Sequence, residues 1–429
     1  MIELSPRILN VSQYDSTVLY NSISKAADEA SEGDQIVVGP GTYNPQTTKE
    51  RFPIYIPPRC QLIGSGAETC KIDGSGGGLQ IISRPVNPYQ SLVLLGDNTS
   101  LSGFTILNSD ANGISNEQGA RILVVNNVLR DNGQHGLLIF GTNGAYIQNN
   151  QFRNNGTKEE NYKPPRSDVA GRQGHQIFIE SRADTKNDVI ITGNKMEKTY
   201  ADAIAIDVFD QPEGIKMHVQ VIGNIISGCG RNGFSMAGSY GPSNSNVFIE
   251  IRNNQILDTH DFAIDAQATF SLIFRAIHNA KLFLNIVENK IKNCNCAINL
   301  AGAFSPSENS HVEYNIVGNE ISNTERYGIR AISGVGMNDW PVENTRCYTT
   351  IANNKFFQTG KEPIFVQGGI DAGSKKVRNN SMFLHLVGNN LESSGKIIVN
   401  DGLATNFVKM IEGSQQYERK NEVVPYDFP

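Results

Sequence analysis

Apolar and polar residues alternate in short runs along this chain. HGLLIF, ADAIAID, NGFSMAG, FAIDAQ, CAINLAG, YGIRAIS and EPIFVQ each carry an apolar residue, a variable one, then a second apolar or small one. A period of two predicts a β-strand with one face buried. A second set alternates as well: GAYIQ, DVIITG, HVQVIG, VFIEIR, LFLNIV, VEYNIV and YTTIAN. Between the two sets lies a recurring asparagine, at Asn127, Asn150, Asn194, Asn224, Asn254, Asn289, Asn319, Asn354 and Asn389, with steps of 23, 44, 30, 30, 35, 30, 35 and 35 residues. A fixed period with loop-sized slack marks stacked repeats. About three short strands per repeat, with no helix between them, exclude βαβ units and predict a solenoid whose rungs lie about 4.8 Å apart. The asparagine fits a turn where its amide bonds to the rungs above and below, as in cross-β ladders. Its role is structural.

The repeat, an asparagine, an apolar residue two positions on, then a small residue opening an alternating strand, resembles the right-handed parallel β-helix repeat of the pectate-lyase-like (pectin lyase fold) superfamily. The resemblance covers about residues 30 to 402. It implies an all-β fold, a single-stranded right-handed parallel β-helix of about ten or more rungs, with an N-terminal capping helix. The opening STVLYNSISKAADEASEGDQIVVGPGTY fits: a helical run from about Val18 to Ala30 carries an apolar stripe of Leu19, Ile23 and Ala26 and covers the open end of the core. The expected organisation is 1–35 as the N-terminal segment with its helix, 36–402 as the β-helix, and 403–429 as a C-terminal cap or tail. This scaffold hosts lyases, hydrolases, epimerases, transferases and non-enzymatic surface proteins, so it does not name a reaction. The paired aspartates and G-H-G of the polygalacturonase branch, the D-P-H of the mannuronan epimerases and the arginine signature of calcium pectate lyases are missing, and no catalytic set carries over.

Aligned rungs separate inward from outward positions. The inward pairs run from Leu137/Ile139 through Ile264/Ala266 to Ile397/Val399; Ile114/Asn116 places a polar residue inward. The residues between them point out: Ser115, Leu138, Phe178, Ala205, Ser235, Asp265, Asn299, Arg330, Phe365 and Ile398. The next outward column reads Glu117, Phe140, Glu180, Asp207, Ala237, Gln267, Ala301, Ile332, Gln367 and Asn400. A polar middle between apolar flanks suits a groove for a polar polymer. Glu180 and Asp207 are expected on adjacent rungs about 5 Å apart, and Asp207 and Asp265 two rungs, about 10 Å, apart. Such carboxylate spacings bracket those of retaining and inverting glycosidases, and close carboxylates split into one acid and one base. Alternatively Glu180 and Asp207 share a Ca²⁺. Arg330 would then stabilise a uronate carboxylate or developing negative charge.

The long step between Asn150 and Asn194 brings a polar loop to the strand carrying Glu180, with Arg166, Asp168, Arg172 and His175 as its chemically capable residues. His175 is a candidate general acid or base if it overhangs the groove. The candidates are therefore Asp207, Asp265, Arg330, Glu180 and His175 for chemistry, and Gln267, Asn299, Phe178, Tyr240 and Arg172 for binding. Tyr200, Asp202, Asp210, His260 and Asp261 flank the same strands, and Trp340 in another loop is read as an anchor or a sugar platform.

Composition narrows the partners. A net charge of −6 gives no basic field for a nucleic-acid backbone. No apolar run is long enough for a transmembrane helix. The start, MIELSPRILNVSQ, lacks a secretion signal, so the expectation is a cytoplasmic protein or a processed secreted one. Six cysteines in 429 residues do not make a disulfide framework; they read as reduced interior thiols, with Cys60 and Cys70 as a pair only in an oxidising compartment. The function expected is a carbohydrate-active lyase, hydrolase or epimerase acting on an oligo- or polysaccharide. The alternatives are an intracellular enzyme acting on a small metabolite and a glycan-binding or structural homo-oligomer.

Overall fold

The computed structural model describes residues 6–77, 87–156, 174–208, 213–236, 243–268, 277–303, 307–337, 342–372, 377–392, 394–402, 406–412 and 417–420. Its contacts divide the chain into two compact units, Met1–Ala203 and Ile204–Pro429. Each is a stretch of right-handed parallel β-helix. The chain passes repeatedly through three parallel sheets, and in each rung the asparagine stands between the first and second.

In the first unit the first sheet runs from Ile8–Val11 to Asp188–Thr192, the second from Gly41–Tyr43 to Lys195–Thr199, and the third from Ile54–Ile56 to Ile177–Glu180. In the second unit they run from Lys216–Ile222 to Asn406–Glu412, from Ile225–Cys229 to Lys355–Thr359, and from Ile204–Asp207 to Tyr417–Lys420. Strands Asn406–Glu412 and Tyr417–Lys420 pair with Ser381–Val387 and Ile397–Asn400, so the ladder continues past residue 402. Two-residue strands Ile277–His278, Ser307–Glu308, Val342–Glu343 and Val377–Arg378 form a small extra sheet in the second unit. A satellite cluster of Ala303, Val342 and Val377 lies beside it.

Register is set by what points inward. Leu137 faces Ile177, Ile264 faces Ile298, and Ile298 faces Ile329, all fully buried. In the second unit a one-residue slip would exchange Ile264 and Ile298 for Asp265 and Asn299, so the pairing there is strongly specified. Asn116, the polar inward residue, is satisfied: its side-chain oxygen accepts from Phe140 N–H at 2.9 Å and its Nδ2 donates to the Phe140 carbonyl at 2.9 Å.

The asparagine ladder is continuous within each unit. In the second, Asn254 N–H and Nδ2 donate to Asn289 Oδ1 at 3.0 and 3.0 Å. Asn289 does the same to Asn319 at 2.9 and 3.0 Å. Each Nδ2 also donates across the turn to a strand carbonyl, Asn289 to Ile251 at 2.8 Å. The residue before the ladder position takes a left-handed φ in many rungs, as at Asn126 (58°), Asn253 (57°) and Asn353 (55°). Asparagine tolerates that region better than most side chains.

The helix is shorter than expected, Ile23–Glu29, and buries Ile23, Ala26 and Ala27. Leu19 does not belong to its stripe; it precedes the helix and is 81% exposed. The helix starts where it does because Ser22 caps it and the buried Glu50 carboxylate accepts from Ile23 N–H (2.9 Å), Ser24 N–H (2.8 Å), Ser22 Oγ (3.1 Å) and Thr48 Oγ1 (3.0 Å). All six cysteines are free and buried. Burial pushes the Cys70, Cys294 and Cys347 thiols up to about 12, so at neutral pH they are inert apolar fillers. No helix among the described residues is long and apolar enough to cross a membrane.

Candidate functional site

The third sheet differs from the first. Strands of the first alternate buried and part-exposed positions, as in Lys281–Val287. Strands of the third are buried on both faces, as in Cys296–Ala301 and Ile329–Ile332. The outward column predicted from sequence exists in that register: Ala205, Ser235, Asp265, Asn299, Arg330, Phe365 and Ile398 face one another in turn. Its members are not an open groove. Asp265 is 3% exposed, Asn299 2% and Arg330 6%.

In the second unit three candidates come together. Asn299 Nδ2 donates to Asp265 Oδ1 at 2.8 Å, and Gln267 Nε2 donates to Oδ2 at 3.4 Å. Arg330 stands on the next rung beyond Asn299. Its guanidinium lies 5.8 Å from the centre of the Tyr327 ring, which contacts the Phe365 ring at 5.4 Å. Arg326 and Lys361 also sit over that ring, at 5.5 and 5.8 Å. Burial, reinforced by the Glu362 charge, raises the Tyr327 phenol, which is a protonated donor at neutral pH. Asp207 ends the strand Ile204–Asp207, is 2% exposed and accepts from Val208 N–H at 2.7 Å. It occupies the second outward column, two residues along from Ala205, whereas Asp265 occupies the first. Two rungs and two residues put their backbones about 12 Å apart, further than the expected 10 Å.

The first unit holds the others. Glu180 is fully buried and pairs with Arg182 at 3.1 Å; the Arg182 guanidinium lies 4.5 Å over the Phe140 ring. His175 does not overhang a groove. It is fully buried, stacked on His135 at 5.3 Å and on Phe178 at 5.4 Å. Its Nδ1 accepts from Asp202 N–H at 3.3 Å and lies 3.6 Å from the Asp202 carboxylate. Phe178 is likewise fully buried. Burial, with the neighbouring His175, holds the His135 imidazole well below its usual range. Among the flanking residues, Tyr200 is exposed and His260 pairs with Asp261 at 2.7 Å. Tyr240, Arg172, Arg166, Asp168, Asp210 and Trp340 lie outside the described residues. No group of three or more His, Cys, Asp or Glu side chains among the described residues is arranged to hold a metal ion.

A sequence profile described as "protein of unknown function (DUF1565)" matches residues 15–272, more than half of the chain. The chain belongs to the DUF1565 family. No curated protein matches this DUF1565 chain. Among solved structures it is similar to the catalytic unit of a GH87 α-1,3-glucanase from Streptomyces thermodiastaticus strain HF3-3. That match has 16% identity and a TM-score of 0.51, over 89% of this chain and 68% of that one. Pectate lyase Pel9A follows at 14% identity and 0.45, over 88% and 80%. PfbA, a surface adhesin of Streptococcus pneumoniae, has 15% identity and 0.48, over 86% and 88%. The glucanase likeness is one of fold, a parallel β-helix.

Tyr327, Arg182 and His135 were not among the residues singled out from sequence. His135 and His175 each stand two residues before an inward position, Leu137 and Ile177, that face each other. Extending the column alignment by two residues would have stacked them. Tyr327 sits in the turn before the strand Ile329–Ile332, three residues from Arg330 in sequence, where period-two reasoning assigns no facing.

Proposed function

We propose that this protein is a carbohydrate-active enzyme whose reaction centre is the outward column of the third sheet around Asp265. We propose further that its substrate is a saccharide carrying a uronic acid. The observation that supports this is a buried carboxylate held by two amides in the same column as a buried guanidinium and an aromatic pair. A base and a cation suit elimination or epimerisation. Asp265 takes the proton from the carbon beside the uronate carboxylate, and Arg330 stabilises the charge that develops on that carboxylate. In elimination the carbon–oxygen bond at the neighbouring carbon then breaks, a carbon–carbon double bond forms, and the leaving oxygen takes up the proton that Asp265 accepted, which restores the base. Tyr327 is the stacking surface for the sugar ring. Hydrolysis by paired carboxylates is less well supported, because the Asp207 and Asp265 backbones are about 12 Å apart in different columns.

The burial of the whole column favours a second reading, an enzyme that closes over a small acidic metabolite at the same face. One assay separates the two. The protein is incubated with oligouronates, neutral oligosaccharides and monomeric sugar acids, and unsaturated product is followed by ultraviolet absorbance. Turnover of oligouronates, lowered about 10²- to 10⁴-fold in Asp265→Asn, is the expected result. Turnover of monomers alone selects the metabolite enzyme. Undiminished turnover in a folded Asp265→Asn protein would remove this column from the chemistry.

A further inference from the structure

The first unit contains a cleft of about 380 Å³ lined by Arg130, Asp131, Arg153, Asn154 and Lys198. It lies along the second sheet. Three cations against one acid stand here on a chain whose net charge is −6. Arg130 and Arg153 face each other in register on adjacent rungs, so two guanidinium-bearing side chains are stacked about 4.8 Å apart at the backbone. Like charges directly opposite destabilise a sheet. The acids nearby do not relieve Arg153. Asp131 pairs with Arg130 and also accepts from Asn154 Nδ2 at 2.6 Å. Glu197, in register with Arg153, is drawn to Lys195 at 2.9 Å. Among the described residues neither Arg153 nor Lys198 has an ion-pair partner.

The backbone carries a second sign. Asn108 (57°), Asp131 (58°) and Asn154 (54°), which follow their strands, and Lys198 (52°), inside the strand Lys195–Thr199, all have a left-handed φ. Asparagine and aspartate accept that conformation readily; a lysine holds it against steric strain. Four residues after the ladder asparagine, the other rungs with a left-handed φ use Asn, Asp, Gly or Gln; here the chain places a cation, and that cation lines the cleft.

We propose that this cleft is an oxyanion-binding subsite that takes the carboxylate or sulfate of an acidic saccharide. Arg153 and Arg130 supply the forked donors and Lys198 a point charge. The volume is that of a small-molecule site, within the usual range of about 300–1,000 Å³. Asn154 and Asp131, hydrogen-bonded to each other, stand ready to meet sugar hydroxyls.

The test is titration of the full chain with an oligouronate, a sulfated oligosaccharide, a neutral oligosaccharide and inorganic sulfate. It is read on the arginine Nε–H resonances by NMR and on affinity by calorimetry. The acidic saccharides are expected to move the Arg153 signal and to bind about tenfold more weakly to Arg153→Gln or Lys198→Gln. Binding should also weaken as salt rises. Which acidic saccharide binds tells carboxylate from sulfate. Both substituted positions are exposed, and a matching melting temperature verifies the fold. Equal binding of the neutral oligosaccharide, or unchanged affinity in both Arg153→Gln and Lys198→Gln, would overturn the proposal. A response to inorganic sulfate with none to either acidic saccharide would overturn it as well.

Discussion

Removing one rung of the asparagine ladder has a cost that can be worked out bond by bond. Asn289 is fully buried. Its Oδ1 accepts from Asn254 N–H and Nδ2, and its Nδ2 donates to Ile251 O and Asn319 Oδ1. In Asn289→Ala the Asn254 side chain keeps its bond to the Val221 carbonyl, and Asn319 Oδ1 keeps the Asn289 backbone N–H. Two buried groups lose their partners in this ladder: the Asn254 N–H and the side-chain bond to the Ile251 carbonyl. At about 1–3 kcal/mol each, the loss is about 2–6 kcal/mol. Typical total stability is about 5–15 kcal/mol, so the variant stays folded but weakened. Urea unfolding gives the global loss, and native-state hydrogen exchange localises it, because repeat arrays open rung by rung. Exchange of the Asn254 amide should accelerate by about the same free energy, while Lys290→Ala, an exposed neighbour, changes stability by less than about 0.5 kcal/mol. A loss below about 1 kcal/mol with unchanged Asn254 protection would mean that the stacked amides do not hold the turn.

Three further outcomes follow from buried or paired charges. Glu50→Ala strips four donors of a buried acceptor at the start of the helix and should cost about 2–4 kcal/mol in thermal or urea unfolding, with Glu50→Gln recovering part of it. His135 is held neutral in the folded protein while the unfolded chain titrates near 6.5. Its contribution is therefore complete above 6.5 and lost as pH falls below it, by up to about 1.4 kcal/mol per pH unit. His135→Gln should flatten that slope by up to one proton, and an unchanged slope counts against neutral burial. Asp97 is lowered to about 2 by its hydrogen bond to Arg121, against the opposing effect of burial. The pair's contribution is present above about 4 and lost as pH falls toward 2. Because both side chains are about half exposed, Asp97→Asn should cost only about 0.2–1 kcal/mol at neutral pH, a cost that falls away through pH 2.

Much of the fold was legible because a solenoid converts a one-dimensional period into contacts. Asn254 and Asn289 are 35 residues apart in sequence and hydrogen-bonded in space, and the period alone brings them together. The inward pairs followed from the same alignment. What was not legible depends on contacts that the period does not encode. The helix start is set by Glu50, 27 residues after Ile23, so Leu19 looked helical by spacing and lies outside. The third sheet looked half-exposed because alternation marks what faces the core, not what covers the other side. His175 was drawn toward the groove by its place after a polar loop, whereas its ring stacks on His135 from the adjacent rung.

The two kinds of column in this chain differ in what stability gains from them. A column of identical amides satisfies itself: each asparagine gives and takes the same bonds, and repetition is what makes it stable. A column that runs Ser235, Asp265, Asn299, Arg330 and Phe365 gains nothing from repetition. Each member meets an unlike neighbour, and burying a carboxylate and a guanidinium two rungs apart carries a desolvation cost that apolar residues would avoid. In these rungs the core-facing positions of the third sheet are Phe234/Met236, Ile264/Ala266, Ile298/Leu300, Ile329/Ala331 and Ile364/Val366, all apolar. The sequence could have filled the outward column the same way, as it does with Leu138 and Phe178 in the first unit. A stretch of charge kept on a buried face, within a scaffold that elsewhere buries apolar side chains, is therefore the feature of this fold that stability explains least, and it is the reason the proposed reaction centre is placed there.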